Sequence, residues 1–178
     1  MLSEMPPVGG MSIQPDYATT MDYSHIQFRY ADHLCEADLQ QLGRLFRAAA
    51  FWAQDRRLED MAVAIANSHP VVTVWDMEQL IGFARATSDG IYRATLWDVV
   101  VDPNYQGSGL GRKLVQTVLS HPHVSRAERV YLMTTNQKGF YKRIGFEPNA
   151  THTLVLHNQP TEITHWVAEA VQSTASDS

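Results

Sequence analysis

The sequence predicts an α/β chain, and three observations support this class. A run of β-branched residues, Val99 to Val101, ends at Asp102 and Pro103 and is followed by a glycine-rich loop. Two apolar runs on either side of Met77 and Glu78 predict a β-hairpin. Elsewhere leucines recur at three- and four-residue spacing, which is the period of a helix with one buried face. Strands that alternate with helices in this way are typical of an α/β domain.

The predicted elements follow one another with short connections. Apolar runs bounded by turn residues predict strands at residues 26–30, 70–76, 79–88, 92–102, 130–134 and 151–157. Helical spacing predicts helices at residues 36–50, 58–67 and 109–121, a short one around 140–144, and a last one at 161–170. The strand at 92–102 stops at Pro103 because proline cannot donate a hydrogen bond to a neighbouring strand.

Composition predicts one globular domain with a different segment at each end. The chain has 178 residues, of which 44% are hydrophobic, an ordinary fraction for a globular protein. Residues 1–24 contain two prolines in succession and no lysine or arginine, so we expect a flexible arm rather than a transit or signal peptide. Residues 25–160 are expected to form the domain, and residues 161–178 a helix and a small polar tail.

Charge and cysteine content argue against several classes of partner. The net charge of -5 argues against a nucleic-acid surface, and no apolar run is long enough for a membrane span. The single cysteine, Cys35, excludes an internal disulfide framework and favours a reducing compartment, so we expect a cytoplasmic protein. The histidines show no metal-ligand spacing, and we expect no metal.

The loop after the Val99 to Val101 run is suited to bind an anion. Its glycines let backbone N–H groups approach a ligand closely, and the following helix begins with its positive end. Arg112 and Lys113 add positive charge there. A P-loop would need lysine after the last glycine, where this chain has Arg112. A dinucleotide loop would need a G-x-G-x-x-G spacing, whereas this chain has G-x-G-x-G.

A third pattern, Gln/Arg-x-x-Gly-x-Gly/Ala after a strand ending in Asp-Pro, fits from Gln106 to Gly111. By this loop the chain closely resembles the GCN5-related N-acetyltransferase (GNAT) superfamily. The segment Gly139 to Glu147 resembles the superfamily's late helix and the strand after it. Residues 81–99, and Trp52 with the arginines at 56 and 57, resemble a plastid and cyanobacterial branch that includes plant serotonin N-acetyltransferases. Some members of that branch also acetylate protein lysines and N-termini. The resemblance covers roughly residues 25–157.

The resemblance implies the superfamily's α/β (α+β) fold, with a central mixed sheet of six to seven strands and about four helices. It also implies acetyl-CoA as the acetyl donor, with the pantetheine arm on Val99 to Val101 and the pyrophosphate on the glycine loop. Many members carry an asparagine at the position of Thr134, and Asn136 is expected to replace its contact. The implied donor-binding residues are Val99, Val100, Val101, Gln106, Gly107, Ser108, Gly109, Leu110, Gly111, Arg112, Asn136, Phe140 and Tyr141.

Two residues are candidates for proton transfer. Tyr141 matches the family tyrosine that protonates the departing coenzyme A thiolate, and a phenol with a pKa of about 10 stays protonated at neutral pH. The alternative for Tyr141 is helix packing with a surface hydroxyl. Asp98, on the central strand, could accept the proton of the amine or hold the ammonium. The alternative for Asp98 is a structural hydrogen bond to a neighbouring loop.

The expected acceptor site is aromatic. Trp52, Tyr92 and Trp97, with Asp98 near the ammonium, could form a pocket for an arylalkylamine, while core packing is the alternative for each ring. Plant relatives carry an aspartate at the position of Gly139, and its role is absent here. The predicted function is acetyl transfer to a primary amine such as serotonin or tryptamine. The alternatives are a protein lysine or N-terminal acetyltransferase and a non-catalytic acyl-CoA sensor. Sheets of this family often dimerise by an exposed edge.

Overall fold

A computed structural model describes residues 25–150 and 153–156 of the chain. These residues belong to two units, the first ending at Asn136 and the second beginning at Gln137. The second unit contains one described helix, α5 (Lys138–Lys142). The first unit contains β1 (Ile26–Tyr30), α1 (Glu36–Ala49), α2 (Leu58–Ala66), β2 (Val71–Asp76), β3 (Gln79–Ser88), β4 (Arg93–Val101), α3 (Leu110–Ser120), α4 (Pro122–Ser125) and β5 (Arg129–Tyr131).

The first unit is built on a five-stranded mixed sheet in the order β1-β2-β3-β4-β5. The first three pairings are antiparallel, and β4 and β5 are parallel. The parallel pairing is short, since it joins residues 93–95 to residues 129–131. From Leu96 to Val101, β4 is paired with β3 on one side, and no strand of the described chain pairs with its other side. We call this stretch the free edge of β4.

A β-bulge interrupts β4 beside the free edge. Phe83 is opposite Val100 and Arg85 is opposite Trp97, so two residues of β4 lie opposite the single residue between them on β3. One of the two is Asp98, whose φ of 52° lies in the left-handed region that L residues rarely adopt. A bulge bends the strand and changes the direction of its side chains.

Helices cover the sheet, which explains why β2 and β3 are apolar at consecutive positions. Residues of α1 and α2, among them Leu42, Phe46 and Ile65, form one core with Val71, Trp75 and Phe83 of the sheet. The alternate residues Val72 and Val74 are fully buried as well. Helix α3, whose Leu114, Val115 and Val118 are fully buried, contacts β2, β3 and β4.

The predicted mixed α/β fold is confirmed, with fewer strands than expected. The described residues form five strands, not six or seven, and the predicted strand 130–134 is limited to Arg129–Tyr131. Thr153–Leu156, within the predicted strand 151–157, lies in no strand, and its leucines are 93% and 85% exposed. An apolar run becomes a strand only where a partner strand takes its backbone hydrogen bonds.

The connection after α3 differs from the prediction, while both ends of the chain lie outside the described residues. Helix α4 was not predicted; it begins at Pro122, and the His121 imidazole accepts the His123 backbone N–H in front of it. The predicted arm at residues 1–24 and the predicted helix at 161–170 lie outside the described residues, and the domain bounds 25–160 stay a prediction. Within the described ranges, no helix has the length and apolar character to cross a membrane.

Candidate active site

The glycine loop between β4 and α3 has the conformation that its sequence predicts. Gly107 and Gly109 have φ angles of 79° and 87°, and Gly109 is the N-cap of α3. Apart from the glycine itself and its neighbours along the chain, no atom of the described residues lies within 4 Å of the position that a Cβ atom would take at either residue. A side chain here would therefore be strained, and it would also fill open space in front of the helix.

The backbone of this loop offers hydrogen-bond donors to an anion. In the described chain, none of the N–H groups of residues 107–112 donates to a protein acceptor. They precede or begin an 11-residue helix, whose N-terminus carries partial positive charge. Such an arrangement fits a phosphate or pyrophosphate group.

Side-chain hydrogen bonds fix the loop to the sheet. Gln106 donates through Nε2 to the carbonyl oxygen of Val101 at 2.9 Å, which ties the loop to the end of β4. The Tyr105 hydroxyl donates to the Asp76 carboxylate at the end of β2. This bond is the main cause that raises the pKa of Tyr105 to about 12. Ser108 donates through Oγ to the carbonyl of Tyr105 at 2.7 Å. Two contacts with the sheet and one within the loop therefore position it before any ligand binds.

The free edge of β4 leads directly to this loop. Val100 and Val101 are buried, and Val99, in the bulge, is half-buried. A strand edge without a partner presents alternating backbone donors and acceptors. An extended chain with amide groups, such as the pantetheine arm of coenzyme A, can pair with such an edge. The residues from 99 to 112 thus fit both parts of the donor that the sequence predicts.

Asp98 lies between two arginines. Its Oδ2 accepts from Arg56 Nη1 at 2.8 Å and from Arg85 Nε at 2.7 Å, and its side chain is 5% exposed. Burial alone would raise the pKa of Asp98, but the hydrogen bonds and charges of the two guanidinium groups outweigh it, and the pKa lies below its ordinary value. A carboxylate in this state is a weak base. The geometry favours the structural alternative for Asp98, because Arg56 belongs to the loop between α1 and α2.

Arg85 extends this contact in two directions. It donates through Nη1 to Ser68 Oγ at 2.9 Å, just after α2, and Ser68 in turn donates to a carbonyl of that helix. Its guanidinium carbon lies 5.8 Å from the centre of the Trp97 ring. In a regular strand, neighbouring side chains point to opposite faces. The bulge explains how Arg85 can contact both Trp97 and Asp98.

The predicted aromatic residues are only partly brought together. Trp52 is 50% exposed in the α1–α2 connection and packs edge-on against Phe51, with ring centres 5.1 Å apart. Trp97 is half-buried and donates to Thr87 Oγ1 at 2.9 Å. Tyr92 is 60% exposed and precedes β4, so it lies six residues, or about 20 Å along an extended strand, from Asp98. The place of Tyr92 beside Asp98 in an acceptor pocket stays a prediction.

The second unit contains Tyr141, the predicted acid. Its ring packs edge-on against Phe140 at 4.9 Å and against Phe146 at 5.8 Å between ring centres. Burial raises the pKa of Tyr141, so the phenol is protonated at neutral pH. Asn136, at the end of the first unit, is exposed. The roles of these residues stay predictions.

Sequence reasoning did not single out Arg85 or the Tyr105 bond. Arg85 was noted only as part of a resembling segment, and its partner is 13 residues away on another strand. The adjacent arginines at 56 and 57 were noted together, yet only Arg56 reaches Asp98, while Arg57 is 73% exposed. A buried aspartate on a strand was the available signal, because such a carboxylate needs a positive partner.

The open strand edge and the amide-lined loop form one continuous candidate site for the predicted donor. Residues 61–148 match the family model described as acetyltransferase (GNAT) domain. The chain is 36% identical over 104 residues to a histone acetyltransferase of Glycine max, a match that covers 52% of this chain and 45% of the relative. It is 32% identical over 114 residues to GCN5-related N-acetyltransferase 1, chloroplastic, of Arabidopsis thaliana, with 61% and 56% covered.

A solved structure agrees with the fold. A GNAT-family acetyltransferase from Streptococcus pneumoniae superposes with a TM-score of 0.62 at 23% identity and covers 75% of this chain and 99% of its own. The match to the acetyltransferase (GNAT) family model over residues 61–148 agrees with the family that the loop and the late helix predicted. The predicted likeness to plastid relatives is also confirmed. The chain spans about half the length of the first curated relatives that it matches.

Proposed function

We propose that this protein transfers an acetyl group from acetyl-CoA to a primary amine. The observation that carries the proposal is the continuity between the free edge of β4 and the glycine loop that begins α3. The edge suits the amides of a pantetheine arm, and the loop amides suit its pyrophosphate. The match to an acetyltransferase family model supports the same donor.

The proposed chemistry is direct attack of a neutral amine on the thioester of the donor. The new carbon–nitrogen bond forms as the carbon–sulfur bond breaks, and the proton lost by the amine goes to water. We propose that backbone groups of Val99 to Val101 polarise the thioester carbonyl and that the Tyr141 hydroxyl gives its proton to the leaving thiolate. The raised pKa of Tyr141 supports this role, because the phenol stays protonated. It regains its proton from solvent.

Asp98 has no part in this proton transfer. Two guanidinium groups hold it ionised, so the proposal leaves deprotonation of the amine to water. An alkylamine with a pKa of about 10 is about one part in a thousand neutral at pH 7. The proposed rate therefore rises with pH until the amine is neutral.

For the acceptor we propose an arylalkylamine such as serotonin or tryptamine, with its ring against Trp52 or Trp97. The Trp97 ring lies 5.8 Å from the guanidinium carbon of Arg85, which holds Asp98, and Trp52 lies four residues before Arg56, the other partner of Asp98. A protein lysine or N-terminal amine is the second candidate. It is favoured by the exposure of Phe51 and Trp52, which are 67% and 50% exposed, and by the relative named as a histone acetyltransferase.

Thiol release from acetyl-CoA tests the proposal. The wild type and Tyr141→Phe would be assayed with serotonin, tryptamine, tyramine, polyamines and lysine or N-terminal peptides. Tyr30→Phe is a matched control, since it removes a phenol whose residue is 55% exposed on β1. We expect release with arylalkylamines that falls only in Tyr141→Phe. Release with peptides alone would establish the second candidate. Acetyl-CoA binding without release on any amine would overturn the enzyme in favour of an acyl-CoA sensor.

We also propose a location and an assembly state. The single cysteine supports a cytoplasmic location, and the family resemblance supports a homodimer joined at a sheet edge. Fractionation with an antibody to the whole chain tests the first, and light scattering at several concentrations tests the second.

A further inference from the structure

Arg56, Asp98 and Arg85, which we call the arginine clamp, join three parts of the first unit. Arg56 lies in the α1–α2 connection four residues after Trp52, and Asp98 directly precedes Val99 on the free edge of β4. Arg85 lies on β3 and also holds Ser68 after α2. One end of the segment that contains α2 is therefore tied to β4 through the Asp98 carboxylate, and the other end is tied to β3 through Arg85.

The bulge of β4 depends on such a tie. Asp98 has a φ of 52°, in a region where a residue with a side chain persists only when its surroundings hold it. Its Oδ2 takes hydrogen bonds from Arg56 at 2.8 Å and Arg85 at 2.7 Å. The Arg85 side chain is 15% exposed and the Arg56 side chain 34% exposed, so water competes weakly for these bonds.

We propose that Asp98 is a positioning residue that, through the arginine clamp, sets the free edge of β4 for the pantetheine arm of acetyl-CoA. It holds the bulge in its left-handed conformation and fixes the α1–α2 connection against it. The next residues, Val99 to Val101, then present their backbone groups in a fixed direction. This inference rests on the proposed donor site and replaces the role of base that the sequence suggested for Asp98.

Donor binding tests the inference without any turnover. Titration calorimetry would compare acetyl-CoA with 3′-phosphoadenosine 5′-diphosphate, the part of the donor that lacks pantetheine, on the full chain. Arg56→Met removes one guanidinium but keeps an aliphatic stem against Phe46, whose ring centre is 5.4 Å from the Arg56 guanidinium carbon. Arg57→Met is the matched control, because Arg57 is 73% exposed and pairs with Glu59 at the surface.

We expect Arg56→Met and Asp98→Asn to bind acetyl-CoA about 10-fold more weakly, as for the loss of one well-placed hydrogen bond. Binding of the nucleotide fragment and both affinities of Arg57→Met stay unchanged. Equal losses for both ligands, or no loss for either, would overturn the inference. Arg56→Met keeps the Asp98–Arg85 pair, so it decides the question even where Asp98→Asn does not fold.

Kinetics separate a positioning residue from a base. If Asp98 were the base, removal of Arg56 would raise its pKa and increase activity near neutral pH. The clamp predicts the opposite sign: kcat falls in Arg56→Met, and the shape of the pH profile is unchanged. Arg56→Met and Asp98→Asn both break the contact between Arg56 and Asp98. The kcat of the double variant Arg56→Met/Asp98→Asn should therefore be no lower than that of the slower single variant. A wild type that binds acetyl-CoA but acetylates nothing would remove the proposed function, while the calorimetric comparison would still decide the role of Asp98.

Discussion

Substitution of Gly109 by alanine isolates the contribution of the glycine loop. Gly109 has a φ of 87°, and a Cβ added there would meet no atom of the described residues within 4 Å beyond its own neighbours along the chain. The substitution therefore introduces backbone strain without a clash in the free protein. When the donor binds, however, the new methyl group occupies space from which the loop amides would approach its pyrophosphate.

The expected magnitudes differ for folding and for binding. A left-handed conformation costs an L residue about 1–2 kcal/mol, which corresponds to a fall in Tm of roughly 2–8 °C for a chain of this size. A hydrogen bond to a charged group contributes about 1.5–3 kcal/mol. Loss of one such bond from a loop N–H to the donor would raise the Kd for acetyl-CoA at least about 10-fold.

Gly90→Ala provides a control with matched strain. Gly90 has a φ of 78° in the β3–β4 turn, and its built Cβ makes only ordinary contact with His123, at 3.5 Å. Scanning calorimetry and titration with acetyl-CoA would be run on both variants. We expect similar losses of Tm, with weaker binding for Gly109→Ala alone. Unchanged affinity in Gly109→Ala, or equal weakening in Gly90→Ala, would refute the assignment of the loop as the pyrophosphate site.

Three further outcomes are expected. The raised pKa of Tyr141 keeps the phenol protonated, so the initial rate should rise with pH and should not decline below pH 10. A decline at pH 8–9 would mean that another group protonates the leaving thiolate. Gly82→Ala would place a Cβ 3.0 Å from Cγ2 of the buried Val74, so thermal unfolding should show a free energy of unfolding lower by about 1–3 kcal/mol. An unchanged Tm would mean that β2 and β3 move apart at no cost to admit the methyl group. Tyr105→Phe removes the hydrogen bond to Asp76, so unfolding in urea should show a free energy of unfolding lower by about 0.5–1.5 kcal/mol. An unchanged free energy of unfolding would mean that this bond is absent in solution.

Most elements of the first unit were predictable because each is marked by a residue pattern within its own short segment. The hairpin of β2 and β3 was predicted from two apolar runs around a two-residue turn, and β3 has the predicted bounds. The loop and α3 were predicted because glycine positions and helical spacing lie within one short segment. The length of β5 was overestimated, since its pairing with β4 ends at Tyr131 and nothing in its own sequence marks that point.

The parts of the candidate site that depend on local backbone conformation were predictable from the sequence. The parts that depend on contacts between side chains far apart in the sequence were less predictable. Glycines predicted the conformation of the proposed donor loop, because few other residues adopt its angles. The bulge at Asp98 carries no glycine, so the sequence contains no signal for its φ of 52°. The ion pair with Arg56 spans 42 residues, and charge alone does not distinguish Arg56 from the adjacent Arg57.

The charge of the arginine clamp reverses what the sequence suggested for the acceptor. An unpaired Asp98 would attract an ammonium, but two guanidiniums and one carboxylate leave a formal charge of +1. Such a cluster repels a cation, and the neutral amine binds more readily. A phenylethylamine whose amine pKa is lowered by fluorine on the adjacent carbon should then show a higher kcat/KM at pH 7 than its parent, and the difference should shrink at pH 10. Equal values at pH 7, or a preference for the parent, would mean that the ammonium is the form that binds.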